Sequence, residues 1–134
     1  MPLLRPRRLA AGQTIGLVAP SSAPNEPERI RFATETLESL GFRVKPGPHV
    51  SDRDGYLAGT DAGRAADLNA MFADESVDAI WCVRGGYGAS RLLPALDFTL
   101  MQRAPKALIG YSDITALHMA IQRHAGLVTF HGPV

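Results

Sequence analysis

Apolar positions along the chain change period several times, and each change marks an element. Thr14-Ile-Gly-Leu-Val-Ala19 is a continuous apolar run closed by Pro20-Ser-Ser-Ala-Pro24, the pattern of a buried strand and a loop. Ile30, Ala33, Leu37 and Leu40 then recur at helical spacing, with Asn25-Glu-Pro-Glu28 offering a cap and Gly41 a stop. Phe42–Pro46 reads as a second strand, and residues 47–60 as a long loop containing Tyr56. Thr60 or Asp61 can cap a helix with Ala65, Leu68 and Phe72 facing inward, broken at Asp74-Glu-Ser76. Val77–Val83 is a second continuous apolar run, as expected where both faces of a parallel sheet are covered. Short helices are predicted over Ala89–Leu96, ending around Pro94, and over Asp97–Arg103. Lys106–Gly110 is a strand, Ile114, Leu117 and Ile121 mark a helix running to Arg123, and Leu127–Phe130 is a fifth strand after Gly126.

Strand and helix alternate throughout, which predicts an α/β fold: a doubly wound, mostly parallel five-stranded sheet with helices on both faces, Rossmann- or flavodoxin-like. Ligands of such sheets bind beyond the carboxyl ends of the strands. Ser21 and Ser22, Gly85 and Gly86, Ser112 and His131 each follow a predicted strand, so all fall on that edge.

Composition narrows the classes. At 134 residues the chain is one domain by length, able to bury roughly 70% of its unfolded surface. A net charge of +1 supplies no field for nucleic acid, and no run is long enough to span a membrane. Arg5, Arg7 and Arg8 are followed too soon by Leu9-Ala-Ala-Gly-Gln-Thr14 to form a signal peptide. The single cysteine, Cys82, lies inside a predicted strand and is expected as a buried, inert thiol of a cytoplasmic protein.

The candidate chemistry centres on Gly110-Tyr-Ser-Asp113, a tight corner between strand and helix. Ser112 there is either an N-cap or a nucleophile whose oxyanion is met by the Asp113 N–H. A Gly-x-Ser-x-Gly elbow would need glycine where Ile114 stands. Arg84-Gly-Gly-Tyr-Gly88 is either a glycine turn or a loop whose Gly85 and Gly86 backbone donates to a ligand. A dinucleotide fingerprint fails at Arg91, and no P-loop segment exists. Among His49, His118, His124 and His131, only His131 sits at the correct edge to serve as a base. His118 and His124 are expected to be surface or face-packing residues. The histidines and cysteine lack metal-ligand spacing, so neither metal nor cofactor is expected.

Taken together, Ile15–Ser21, Arg64-Ala-Ala-Asp-Leu68, Arg84–Gly88, Gly110–Thr115 and Thr129-Phe-His-Gly-Pro133 resemble the N-terminal half of the LD-carboxypeptidases, or muramoyltetrapeptide carboxypeptidases. The resemblance implies that residues 1–134 form the nucleophile-bearing domain of a cytoplasmic serine peptidase that removes the terminal D-alanine of murein tetrapeptides during peptidoglycan recycling. Ser112 matches the family's nucleophile, and Asp113 with Gly85 and Gly86 its oxyanion hole. The family's glutamate and histidine come from a C-terminal domain absent here. Losing such partners costs ~10⁴ or more in rate, so the isolated chain is expected to be inactive, and to associate as a homodimer through its uncovered surface. The alternatives are a microcin-immunity-type peptidase acting on a nucleotide–peptide conjugate and a noncatalytic binding or regulatory domain.

Overall fold

The computed structural model describes residues 3–132, so Pro133, at the end of the last motif, lies outside the described residues. Strands β1 (Thr14–Val18), β2 (Arg43–Pro46), β3 (Ala79–Cys82), β4 (Ala107–Gly110) and β5 (Phe130–His131) form one sheet in the order β2-β1-β3-β4-β5. Every neighbouring pair is parallel, with Ile15 opposite both Val44 and Ala79, and Ile109 opposite Phe130. The order reverses between β1 and β3, which places the switch point of the sheet beside the loops carrying Ser21 and Gly85.

Helices α2 (Asp61–Ala73), α3 (Phe98–Arg103) and α4 (Thr115–Ala125) cover one face. There Ile80, Cys82 and Leu108 meet Leu68, Phe72, Met101, Leu117 and Ile121 in the larger of two cores. Gly16 lets α2 come close, since a Cβ on it would lie 3.2 Å from Val77 Cγ1 and against Met71. On the other face α1 (Glu28–Ser39) packs Leu37, Ala33 and Ile30 over Ile15, Leu17 and Ala79. Towards β4 and β5 this face carries an apolar groove of about 680 Å³ between residues 5–9 and Ala107, Ile109, Val128 and Phe130, with no helix in its lining.

Several expectations are corrected. Asn25 does not cap α1: Pro27 occupies that position without a side-chain bond, and Asn25 Oδ1 accepts from Arg84 instead. Leu40 stands at the C-cap, outside the helical face, and stays exposed. Residues 89–95 form a 3₁₀ helix with Pro94 inside it. β5 starts later than the apolar run because Leu127 bridges Leu4 of the N-terminal segment, whose carbonyl accepts from Val128. Among the described residues no helix is long and apolar enough to cross a membrane.

Candidate active site

β4 ends at Gly110, where a Cβ would lie 2.8 Å from Ile114 Cγ2 and 3.1 Å from Cys82 Cβ, so only glycine lets the chain fold back there. Two residues on, Ser112 has φ +61°, the only positive φ at a non-glycine among the described residues. Such backbone is strained by on the order of 1–3 kcal/mol and persists where its surroundings enforce it. Ser112 does not cap a helix: Tyr111 and Ile114 hold the N-cap positions of the 3₁₀ turn and of α4, neither with a side-chain bond. Its exposed side chain has no hydrogen-bond partner among the described residues and lines a cavity of about 440 Å³.

Asp113 braces the corner from behind. Its Oδ2 accepts from the buried Ser21 hydroxyl at 2.5 Å and from the Ala89 N–H at 2.9 Å, joining the loops after β1 and β3 to the start of α4. Gly85 presses against the same corner: a Cβ there would lie 2.9 Å from Ser112 Cβ and 3.1 Å from the Asp113 nitrogen. Gly86 has φ +109° and a virtual Cβ only 2.5 Å from Ser22 Cβ, while Ser22 Oγ accepts from the Tyr87 N–H at 2.9 Å. The four residues expected at the site, Ser112, Asp113, Gly85 and Gly86, are therefore gathered at one end of the sheet. Ser112, Gly85 and Gly86 line the cavity with Asn25, Arg29 and Arg84.

His131 lies on the expected edge but outside that lining; its ring contacts those of Tyr111 and His118, each 6.1 Å away between centroids. His118 does more than pack. Its Nε2 donates to the Gly110 carbonyl at 2.8 Å, and its Nδ1 lies in hydrogen-bond contact with the Thr129 hydroxyl at 2.7 Å. The ring thus ties the last residue of β4 to the approach to β5.

Arg64 is the largest contribution that pattern reading missed. It is fully buried on the inward face of α2, and its guanidinium donates to the carbonyls of Gly59, Pro20 and Gly88 at 3.2, 2.9 and 3.0 Å and pairs with Asp61. One side chain so joins the loops after β1, before α2 and after β3; burial, the largest influence, lowers its pKa. An arginine four residues before Leu68, in register with the apolar stripe, was the available signal. His49 is likewise fixed by the buried Asp67, whose carboxylate takes its N–H and its Nδ1 at 2.9 and 2.7 Å; the hydrogen bond and charge of Asp67 raise the His49 pKa. Cys82 is buried as expected, and burial pushes its thiol up to about 12. Among the described residues no cluster of His, Cys, Asp or Glu could hold a metal.

The family model for the LD-carboxypeptidase N-terminal domain matches residues 15–132. The probable murein peptide carboxypeptidase of Bacillus subtilis is 47% identical over 130 residues, 97% of this chain and 40% of that protein. The murein tetrapeptide carboxypeptidase of Pseudomonas aeruginosa is 44% identical over 90% of this chain and 39% of its own length. The microcin C7 self-immunity protein MccF of Escherichia coli is 36% identical over 93% of this chain and 37% of that protein. A structure of MccF with adenosine monophosphate superimposes with a TM-score of 0.91 at 36% identity, over 99% of this chain and 40% of that one. The chain thus spans about two fifths of the length of these relatives.

Proposed function

The chain belongs to the LD-carboxypeptidase family, and from that premise we propose that it carries the nucleophile of a cytoplasmic serine peptidase acting on murein tetrapeptides in peptidoglycan recycling. The bond cut is the one joining an L-centre to the terminal D-alanine. Ser112 Oγ attacks the carbonyl carbon, its proton passes to a base, and the D-alanine nitrogen leaves protonated. Water then hydrolyses the acyl-serine. The Asp113 N–H and the Gly85–Gly86 backbone receive the oxyanion, a role worth ~10²–10³ in rate per donor. The base and the acid that orients it are assigned to a histidine and a glutamate lying outside residues 1–134.

One observation carries the reading. Ser112 is held at φ +61° with an unengaged hydroxyl, facing a cavity rather than closing a helix end. A serine serving only as a cap would sit in extended backbone with its oxygen on an N–H two or three residues ahead, as Thr60 does with Gly63. The likeness to MccF favours one second reading, a peptidase acting on an aminoacyl-nucleotide conjugate.

The test is D-alanine release from a murein tetrapeptide by the longer protein that carries this domain, beside cleavage of an aminoacyl-nucleotide conjugate. Loss of tetrapeptide cleavage in Ser112→Ala is expected, with the isolated chain silent. Preference for the conjugate moves the assignment to the second reading. Ser112-dependent D-alanine release by the isolated chain would overturn the division of the triad and bring forward His131. Self-association of the isolated chain through the groove at β4 and β5 is part of the same proposal, and a monomer in sedimentation at high concentration counts against it.

A further inference from the structure

A carboxypeptidase must distinguish a terminal residue from an internal one, and the difference is a free carboxylate one residue beyond the attacked carbonyl. Consecutive Cα atoms are only ~3.8 Å apart, so the group that reads this carboxylate has to lie in the same cavity as the nucleophile. Two arginines line that cavity, Arg29 in the first turn of α1 and Arg84 directly after β3.

Their surroundings differ. The Arg29 side chain is exposed and has no hydrogen-bond partner among the described residues, so fixing it on a ligand costs rotamer entropy. Arg84 is already ordered. Its Nη1 donates to the Ala23 carbonyl at 3.0 Å and to Asn25 Oδ1 at 3.3 Å, and its Nη2 lies 3.5 Å from the virtual Cβ of Gly86. Among the described residues neither its Nε nor its Nη2 has an acceptor. Arg64 and Arg91 both pair with Asp61, whereas among the described residues no carboxylate pairs with Arg84. Glu26 lines the cavity without forming an ion pair among the described residues, and the Asp113 carboxylate is turned away onto Ser21 and Ala89.

We propose that Arg84 is the specificity-determining residue of this cavity, receiving the free α-carboxylate of the substrate's terminal residue on its unengaged N–H groups while Ala23 and Asn25 hold the guanidinium in place. The assignment deepens the carboxypeptidase reading and rests on it. A pre-ordered guanidinium suits this task because its fork matches a carboxylate and little freedom is lost on binding.

The experiment is a chemical-shift titration of this chain with Nα-acetyl-L-lysyl-D-alanine and with its C-terminal amide. The acid is expected to bind about ten- to a hundredfold more tightly than the amide, the range for one charge-assisted contact. Arg84→Gln should bring the acid down to the affinity of the amide, Arg84→Lys should keep part of the preference, and Arg29→Gln should change it less than about threefold. Spectra of the free variants establish that Ala23 and Asn25 keep their places, and the Lys variant carries the test if Arg84→Gln perturbs them. The proposal is overturned if the wild-type chain shows no preference or no binding of the acid at millimolar concentration. It is equally overturned if Arg84→Gln retains the preference, or if Arg29→Gln abolishes it. D-alanine release by the longer protein separates the two claims. Release without discrimination at Arg84 removes this inference alone, and discrimination without release removes the peptidase reading while leaving the carboxylate site.

Discussion

Replacing Asp113 by alanine isolates the brace behind the corner. The substitution strands the Ser21 hydroxyl, which is 0% exposed, and the N–H of Ala89, also 0% exposed. A buried donor left without its acceptor costs about 1–3 kcal/mol, so two of them predict a loss of about 2–6 kcal/mol. That is a large share of the roughly 7–20 kcal/mol expected for a domain of this length. The assay is urea unfolding of the chain followed by the fluorescence of its single tryptophan, Trp81, which lies at the centre of the sheet. Asp113→Asn, which keeps one acceptor oxygen, should lose less than half as much. In a double-mutant cycle, Ser21→Ala should cost little once Asp113 is gone, giving a coupling of about 1 kcal/mol or more. A loss under about 0.5 kcal/mol in Asp113→Ala, or additive single mutants, would refute the argument that this carboxylate holds the two loops to the corner.

Gly86→Ala combines a positive φ with a collision against Ser22 Cβ at 2.5 Å, and should destabilise the chain by more than about 1 kcal/mol; a thermal melt within 2 °C of wild type would contradict this. Asp67 raises the His49 pKa, so the folded value exceeds the unfolded one of about 6.5. The stabilisation is fully present below the unfolded value and is lost as pH rises through the raised folded value. Hydrogen exchange in residues 47–60 should therefore accelerate across that window beyond its intrinsic pH dependence, and His49→Ala should abolish the excess; a titration of His49 at or below 6.5 refutes it. Cys82, buried with its thiol pushed up to about 12, should react with a disulfide reagent only as fast as the chain unfolds, and prompt labelling of the folded chain would contradict that.

The three central strands β1, β3 and β4 were legible because they are buried on both faces and so appear as apolar runs: Ile15, Leu17, Ile80, Cys82 and Leu108 divide between two cores. The Thr60 cap was legible because it is local. What eluded pattern reading depends on residues far apart in sequence. Asn25 is drawn from its helix to Arg84, 59 residues away, and Leu127 is claimed by Leu4 before β5 begins. At the site, the motif placed Ser112 and the glycines, but nothing local separates a capping serine from one in left-handed backbone. The carbonyls that receive Arg64 come from three loops, so its burial follows from the tertiary fold and not from the composition of α2.

The bond from Ser21 to Asp113 spans 92 residues, and it also sets an order of events on the ribosome. At ~5–20 residues per second, roughly 5–20 s separate the synthesis of its two ends. During that interval β1 can pair with β2, but its other edge must wait for β3, and the Ser21 hydroxyl stays solvated until α4 begins to form. Ser112 and its brace therefore emerge together, after the floor on which they close. The corner cannot close before its carboxylate is made, and by then β1 to β4 are already synthesised and only α4 and β5 remain.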